Sequence, residues 1–209
     1  MTQHRWPALA SLTGVAFVAL VVLAFAIGGS SPDIKDSPQK ILTFYNKHDS
    51  KQMFVSVLLA WGTVFFFFFL GMLRSALRAA EQGVARLSTV TFGGGIVLGV
   101  GMLAFAAINF TLADAADHLT PDAAQALNAL NVDFFIPLSA GLATFMIATG
   151  IGSIRSRVLP AWLSWITLVV GIAAVTPVGF FAFMAFGIWT LIVSVLLWRS
   201  SARTPVPQP

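Results

Sequence analysis

The chain contains no cysteine. That excludes disulfides, thiolate metal sites and cysteine nucleophiles, and leaves the redox compartment unreadable. Charge is scarce too. Asp, Glu, Lys and Arg make up 10% of the 209 residues, while hydrophobic residues make up 57%. Ordinary soluble domains carry roughly 25% charged residues. A soluble fold could not cover this much apolar surface with so few charges. There are three histidines, His4, His48 and His118, and all lie outside the long apolar runs. That placement excludes a bis-histidine haem buried between membrane helices. No Ser-His-Asp order, phosphate loop or paired catalytic carboxylates are visible, so no catalytic residue is assigned and no cofactor is expected.

What the chain does have is apolar runs of membrane length. About 20 apolar residues cross a bilayer core as a helix, and in lipid a helix bonds its own backbone polar groups. Continuous runs do not fit the alternating strands of a barrel. The pattern predicts an all-α, polytopic helix bundle in one membrane domain covering residues 1–209. Its six spans are 8–29, 53–73, 90–112, 134–153, 161–175 and 179–198. Residues 200–209 read as a disordered, proline-bearing tail. Span one also carries the small-x-small pattern Ala24-Phe25-Ala26 of a signal-peptide cleavage site. Its apolar stretch is longer than the roughly 7–15 residues of a signal core, which favours a retained span. The last two spans come from a charge-free stretch, Pro160 to Trp198, divided at the breaker Thr176-Pro177-Val178-Gly179.

Charge sets the threading. All eight arginines fall in four short segments, and seven of the eight acids fall in the segments between. Arg74, Arg78, Arg86, Arg155, Arg157 and Arg199 mark one side; the four lysines all lie in the first loop of the other. The positive-inside rule puts the arginines and both termini in the cytoplasm. Trp162 and Trp165, three apart near the arginine side, read as interface anchors. The net charge of +4 forms no basic stripe and matches no nucleic-acid motif, so nucleic acid is not an expected partner.

Each outer loop should carry a short interfacial helix. In the first, Ser37-Pro38 is a cap followed by a first-turn proline, and Ile41, Phe44, Tyr45 and His48 recur at helical spacing. In the second, Thr120-Pro121-Asp122 is a similar start, with Leu127 and Leu130 as an apolar edge. Lys40, Lys47 and Lys51 are expected to pair loosely with the aspartates of the second loop, tying the two helices into an outer cap. Span two contains Phe65 to Phe69, five phenylalanines that must point all round a helix and act as filler. Span three opens with Gly93-Gly94-Gly95. Gly95 and Gly99 form a small-xxx-small pair that lets helices approach closely. With no preceding strand, this run is not a dinucleotide loop.

No span holds a charged residue, although such residues are the usual mark of ion pathways and proton relays. Asn109, near the outer end of span three, reads first as a helix–helix hydrogen bond and second as a substrate contact. On the outer face, Asp114, Asp117 and His118 would share a side if span three continued as a helix. With His48 they make a candidate metal site, though without a recognised ligand spacing.

Several segments carry a resemblance. These are "ILTFYNKHDS", "FLGMLRSALRAAEQG", the glycine-rich third span, "RSRVLPAWLSWITLVVGI" and "WTLIVSVLL". The most specific is Leu159-Pro160-Ala161-Trp162-Leu163-Ser164-Trp165, which resembles an LPRWLGW-type motif and departs from it at Ala161 and Ser164. Together they resemble a group of small multi-pass bacterial membrane proteins of the domain-of-unknown-function kind. The resemblance covers about Ala8 to Trp198. It implies the bacterial inner membrane and the six-span topology, and brings no activity with it.

The leading expectation is therefore a non-enzymatic bundle whose partners are the lipid bilayer and a membrane protein or a second copy of itself. The alternatives are a small-molecule or lipid transporter with an apolar cavity, and a membrane enzyme with the outer-face metal site.

Overall fold

The computed structural model describes residues 12–81 and 86–201. Every regular element among them is an α-helix. They are α1 (Thr13–Gly28), α2 (Pro38–Ala80), α3 (Arg86–Asp114), α4 (Pro121–Asp133), α5 (Phe135–Ser156), α6 (Ala161–Ala173) and α7 (Gly179–Ser201). His4, Arg5, Trp6, the start of span one, Arg203 and the expected tail beyond residue 201 lie outside the described residues.

Four stretches are long and apolar enough to cross a membrane: Pro38–Ala80, Arg86–Asp114, Pro121–Ser156 and Gly179–Arg199. Thr13–Gly28 and Ala161–Ala173 are apolar but shorter. At 1.5 Å per residue α6 is only about 20 Å long. The breaker after it ends it as the sequence suggests: Thr176 N donates to Ala173 O, and Gly179 N to Thr176 O.

Neighbouring helices run antiparallel, and their contacts fix the register. Asn109 of α3 meets Ser56 of α2, and Gly95 meets Leu70. Thr91 meets Thr149 of α5, and Gly101 meets Leu138. Gly171 of α6 faces Ile147 of α5. The bundle consequently has two chemically distinct ends. Arg74, Arg78, Arg86, Arg155, Arg157 and Arg199 gather at one, with the start of α6 and its exposed Trp162 and Trp165. The lysines, most of the aspartates and α4 gather at the other.

Lipid supplies no hydrophobic drive between helices, so close packing and hydrogen bonds must hold them. The glycines provide that packing. A Cβ on Gly94 would lie 2.5 Å from Phe145 N, and one on Gly141 would lie 2.6 Å from Leu98 N. The α3 and α5 backbones thus touch at two reciprocal points. Gly95 and Gly99 face α2 instead, where they receive the side chains of Leu70 and Phe67. They admit side chains into a helix groove, while Gly94 makes the backbone-to-backbone approach.

The phenylalanine run does point all round α2. Phe66 and Phe69 are fully buried, whereas Phe68 is exposed. The two buried rings join Phe17 of α1, Phe145 of α5, and Phe186 and Trp189 of α7 in one cluster, with centroid distances from 5.2 to 6.5 Å. Trp189 Nε1 donates to Thr167 Oγ1 of α6 at 2.6 Å. Five helices therefore meet on one aromatic knot at the centre of the bundle.

Candidate functional site

The end that carries α4 has the richest polar chemistry, and it differs from the sequence expectation in three ways. First, the short helix expected after Ser37 does form, but no loop parts it from span two: the two helices meet at a kink at His48. It forms the first arm of α2, up to the kink where His48 has non-helical angles. The start is capped as its residues suggest: Ser37 Oγ accepts from Lys40 N at 3.4 Å. His48 Nδ1 lies 2.9 Å from Phe44 O, and a carbonyl can only accept, so Nδ1 carries the proton. The ring thus bonds back to the carbonyl one turn earlier, beside the kink.

Second, the apolar side of this segment faces protein. Ile41 and Tyr45 are buried and pack with Leu112, Ala113, Ala116 and Ala124. Tyr45 OH donates to Asn128 Oδ1 at 3.3 Å, and Asn128 Nδ2 donates to Pro32 O at 3.4 Å. Burial pushes the Tyr45 phenol up to about 12, so it stays a neutral donor. The capped α4, in which Thr120 Oγ1 accepts from Ala123 N, is docked onto α2 by these contacts.

Third, the lysines do not reach the second loop. Lys40 pairs with Asp36 of its own loop at 2.7 Å, and the other pair among the described residues is His118 with Asp117 at 3.5 Å. A charge swap between Lys47 and Asp117 therefore has no bond to rescue. The cap exists, but apolar burial and the Tyr45–Asn128 bond hold it. Exposed ion pairs contribute about 0–1 kcal/mol each, which is too little to order two segments. Tyr45→Phe should cost about 1 kcal/mol. It should also raise hydrogen exchange in residues 121–133 more than elsewhere, because it loosens α4 alone. Unchanged exchange in α4 would show that the bond does not dock it.

The metal set is not assembled. The α3 helix ends at Asp114, and a turn follows in which Ala115 O accepts from both His118 N and Leu119 N. Asp114, Asp117 and His118 lose the common helical face that their spacing required. His48 packs its ring against Phe44, with centroids 4.7 Å apart. Among the described residues no three His, Asp or Glu side chains are grouped to hold a metal ion.

Beneath the cap, Asn109 makes the helix–helix bonds that were its first reading. Its Nδ2 lies 3.2 Å from Gln52 O and 3.0 Å from Ser56 Oγ. Gln52 Nε2 reaches back to Gly28 O at the end of α1. Nothing in the sequence marks Gln52, because it sits at the loop edge of a span and its partner is 57 residues away.

At the arginine end, the lone acid Glu81 accepts from Ser88 N at 2.9 Å and from Ser88 Oγ at 2.6 Å. Desolvation raises the Glu81 carboxyl, but the Ser88 bonds and the nearby Arg78 outweigh it and the net shift is downward. Glu81 thus serves as a carboxylate cap on the first turn of α3, where the helix dipole favours negative charge. Arg74 lies over the Phe92 ring, 4.9 Å from its centroid.

The buried side chains of Asn109, Gln52, Ser56, Thr91, Thr149 and Thr167 are engaged in bonds between or within helices, an arrangement that serves packing. The chain matches no protein-family model, no curated protein and no solved structure, so its own residues carry the functional reading.

Proposed function

We propose that this chain is a six-span protein of the bacterial inner membrane with both termini in the cytoplasm. It acts without catalysis, as a packed bundle whose outer surface meets lipid, a membrane partner or a second copy. The filled centre is the observation that carries this reading. Phe17, Phe66, Phe69, Phe145, Phe186 and Trp189 occupy the axis where a transporter would place its substrate. Rings in contact at this depth favour a scaffold over a conduit. The gathering of six described arginines at one end supports the orientation.

The six-span count depends on α1 and α6, which are shorter than the roughly 30 Å hydrocarbon core. Single-cysteine labelling in cells tests it, and the natural chain contributes no background thiol. Lys47→Cys and His118→Cys should label from outside, and Ala79→Cys only after permeabilisation. Val178→Cys should label from outside if α6 and α7 are full spans. The reverse pattern at Ala79 and His118 would overturn the orientation. A silent Val178 would reduce α6 and α7 to a hairpin that stops within the membrane.

A further inference from the structure

An apolar groove of about 340 Å³ runs along the outside of the bundle between α3 and α5. Leu87 and Val90 line one wall, and Thr144, Ile147, Ala148 and Ile151 line the other. Its position in the register gives it a charged end. Arg86 lies one turn before Val90, and Arg155 one turn after Ile151, so each shares a face with its own wall. The two helices are antiparallel here, with Thr91 bonded to Thr149 and Gly152 packed near Leu87. Arg86 and Arg155 therefore stand at the same level, flanking the groove where it reaches the arginine end. Both are exposed, and neither is ion-paired among the described residues. The one nearby acid, Glu81, has both oxygens taken by Ser88.

We propose that this groove binds one anionic phospholipid, with an acyl chain against α3 and α5 and its phosphate between Arg86 and Arg155. Charge complementarity selects this occupant. An apolar channel alone would accept any chain, but two unpaired guanidiniums at its interfacial end favour a headgroup with net negative charge. Arg157 adds a cation close by at a backbone cost. It ends α5 with φ of 57°, a left-handed position where glycine is the usual choice. The proposal rests on the membrane reading above.

Native mass spectrometry of the full-length protein, released from detergent after delipidation, tests it. Added phosphatidylglycerol should bind about tenfold better than phosphatidylcholine of the same chains. The pair Arg86→Gln with Arg155→Gln should remove that preference, while the corresponding lysine pair should keep part of it. Thr144→Phe, which fills the groove from an exposed position, should weaken both lipids. Equal binding of the two lipids by the natural chain overturns the proposal. So does a preference that survives the glutamine pair, or lipid binding that Thr144→Phe leaves undiminished. Full competition by inorganic phosphate would also overturn it, since the site would then need no acyl chain. This readout does not depend on orientation, so its failure leaves the labelling result standing, and the reverse.

Discussion

Trp189→Ala is expected to destabilise the bundle by about 3 kcal/mol, the lower end of the range for deleting a buried aromatic. The lower end applies because the unfolded helices remain in lipid, so the apolar transfer gain is small. What is lost is contact with Phe69, Phe145 and Phe186, together with the bond to Thr167. Equilibrium unfolding in mixed micelles measures it. Trp189→Phe separates the two contributions. It keeps a ring in place but removes the Nε1 donor, and should cost about 1 kcal/mol for the bond plus a smaller packing loss. Thr167 Oγ1 retains its bond to Leu163 O at 2.7 Å, so no orphaned group should raise that cost. A loss below about 1 kcal/mol for the alanine variant would show that the aromatic knot does not hold α7 to the bundle.

Alanine in the triple-glycine run should give opposite signs at adjacent positions. Gly94→Ala places a Cβ 2.5 Å from Phe145 N and 2.9 Å from Thr144 C. Backbone cannot swing aside as a side chain can, so α3 and α5 must separate, at a cost of about 2–3 kcal/mol. Gly93→Ala meets nothing within 4 Å. It should stabilise by about 0.5–1 kcal/mol, because glycine is a poor helix residue. Gly95→Ala should fall between the two, since its new methyl presses on the buried but rotatable Leu70 side chain. The same unfolding assay compares the three. Equal effects at 93 and 94 would mean that the α3–α5 register is wrong.

These expectations mark where the sequence stops being informative. The glycine run announced close packing, and Gly95 with Gly99 was the motif it offered. The tight backbone contact instead falls on Gly94, because which glycine meets which helix depends on the rotation of α3 about its axis. A triple glycine carries no amphipathic pattern to fix that rotation. The phenylalanine run was equally silent about its buried members, since five identical residues look the same from every side. The Ser37 and Thr120 caps could be read directly, because a cap is a contact between residues three apart. The metal reading depended on a helix that stops at Asp114, and the salt-bridged cap on pairings between distant loops.

By itself the sequence determined that the described chain folds into apolar helices, and it placed most of their ends within a few residues, although α2 continues to Ala80, well beyond the expected end of span two. It also separated an arginine end from a lysine–aspartate end. These properties follow from local composition, because a helix bonds its own backbone and loops retain the charges that lipid excludes. The tertiary structure alone decided what the helices share. That includes the aromatic knot on Phe66 and Trp189, the Gly94–Gly141 contact, the Gln52–Asn109 bonds and the docking of α4 through Tyr45. It also aligned Arg86 with Arg155 at the end of one groove, 69 positions apart in the chain. Such pairings arise from antiparallel register and helix rotation, and in an apolar chain many registers satisfy the same composition.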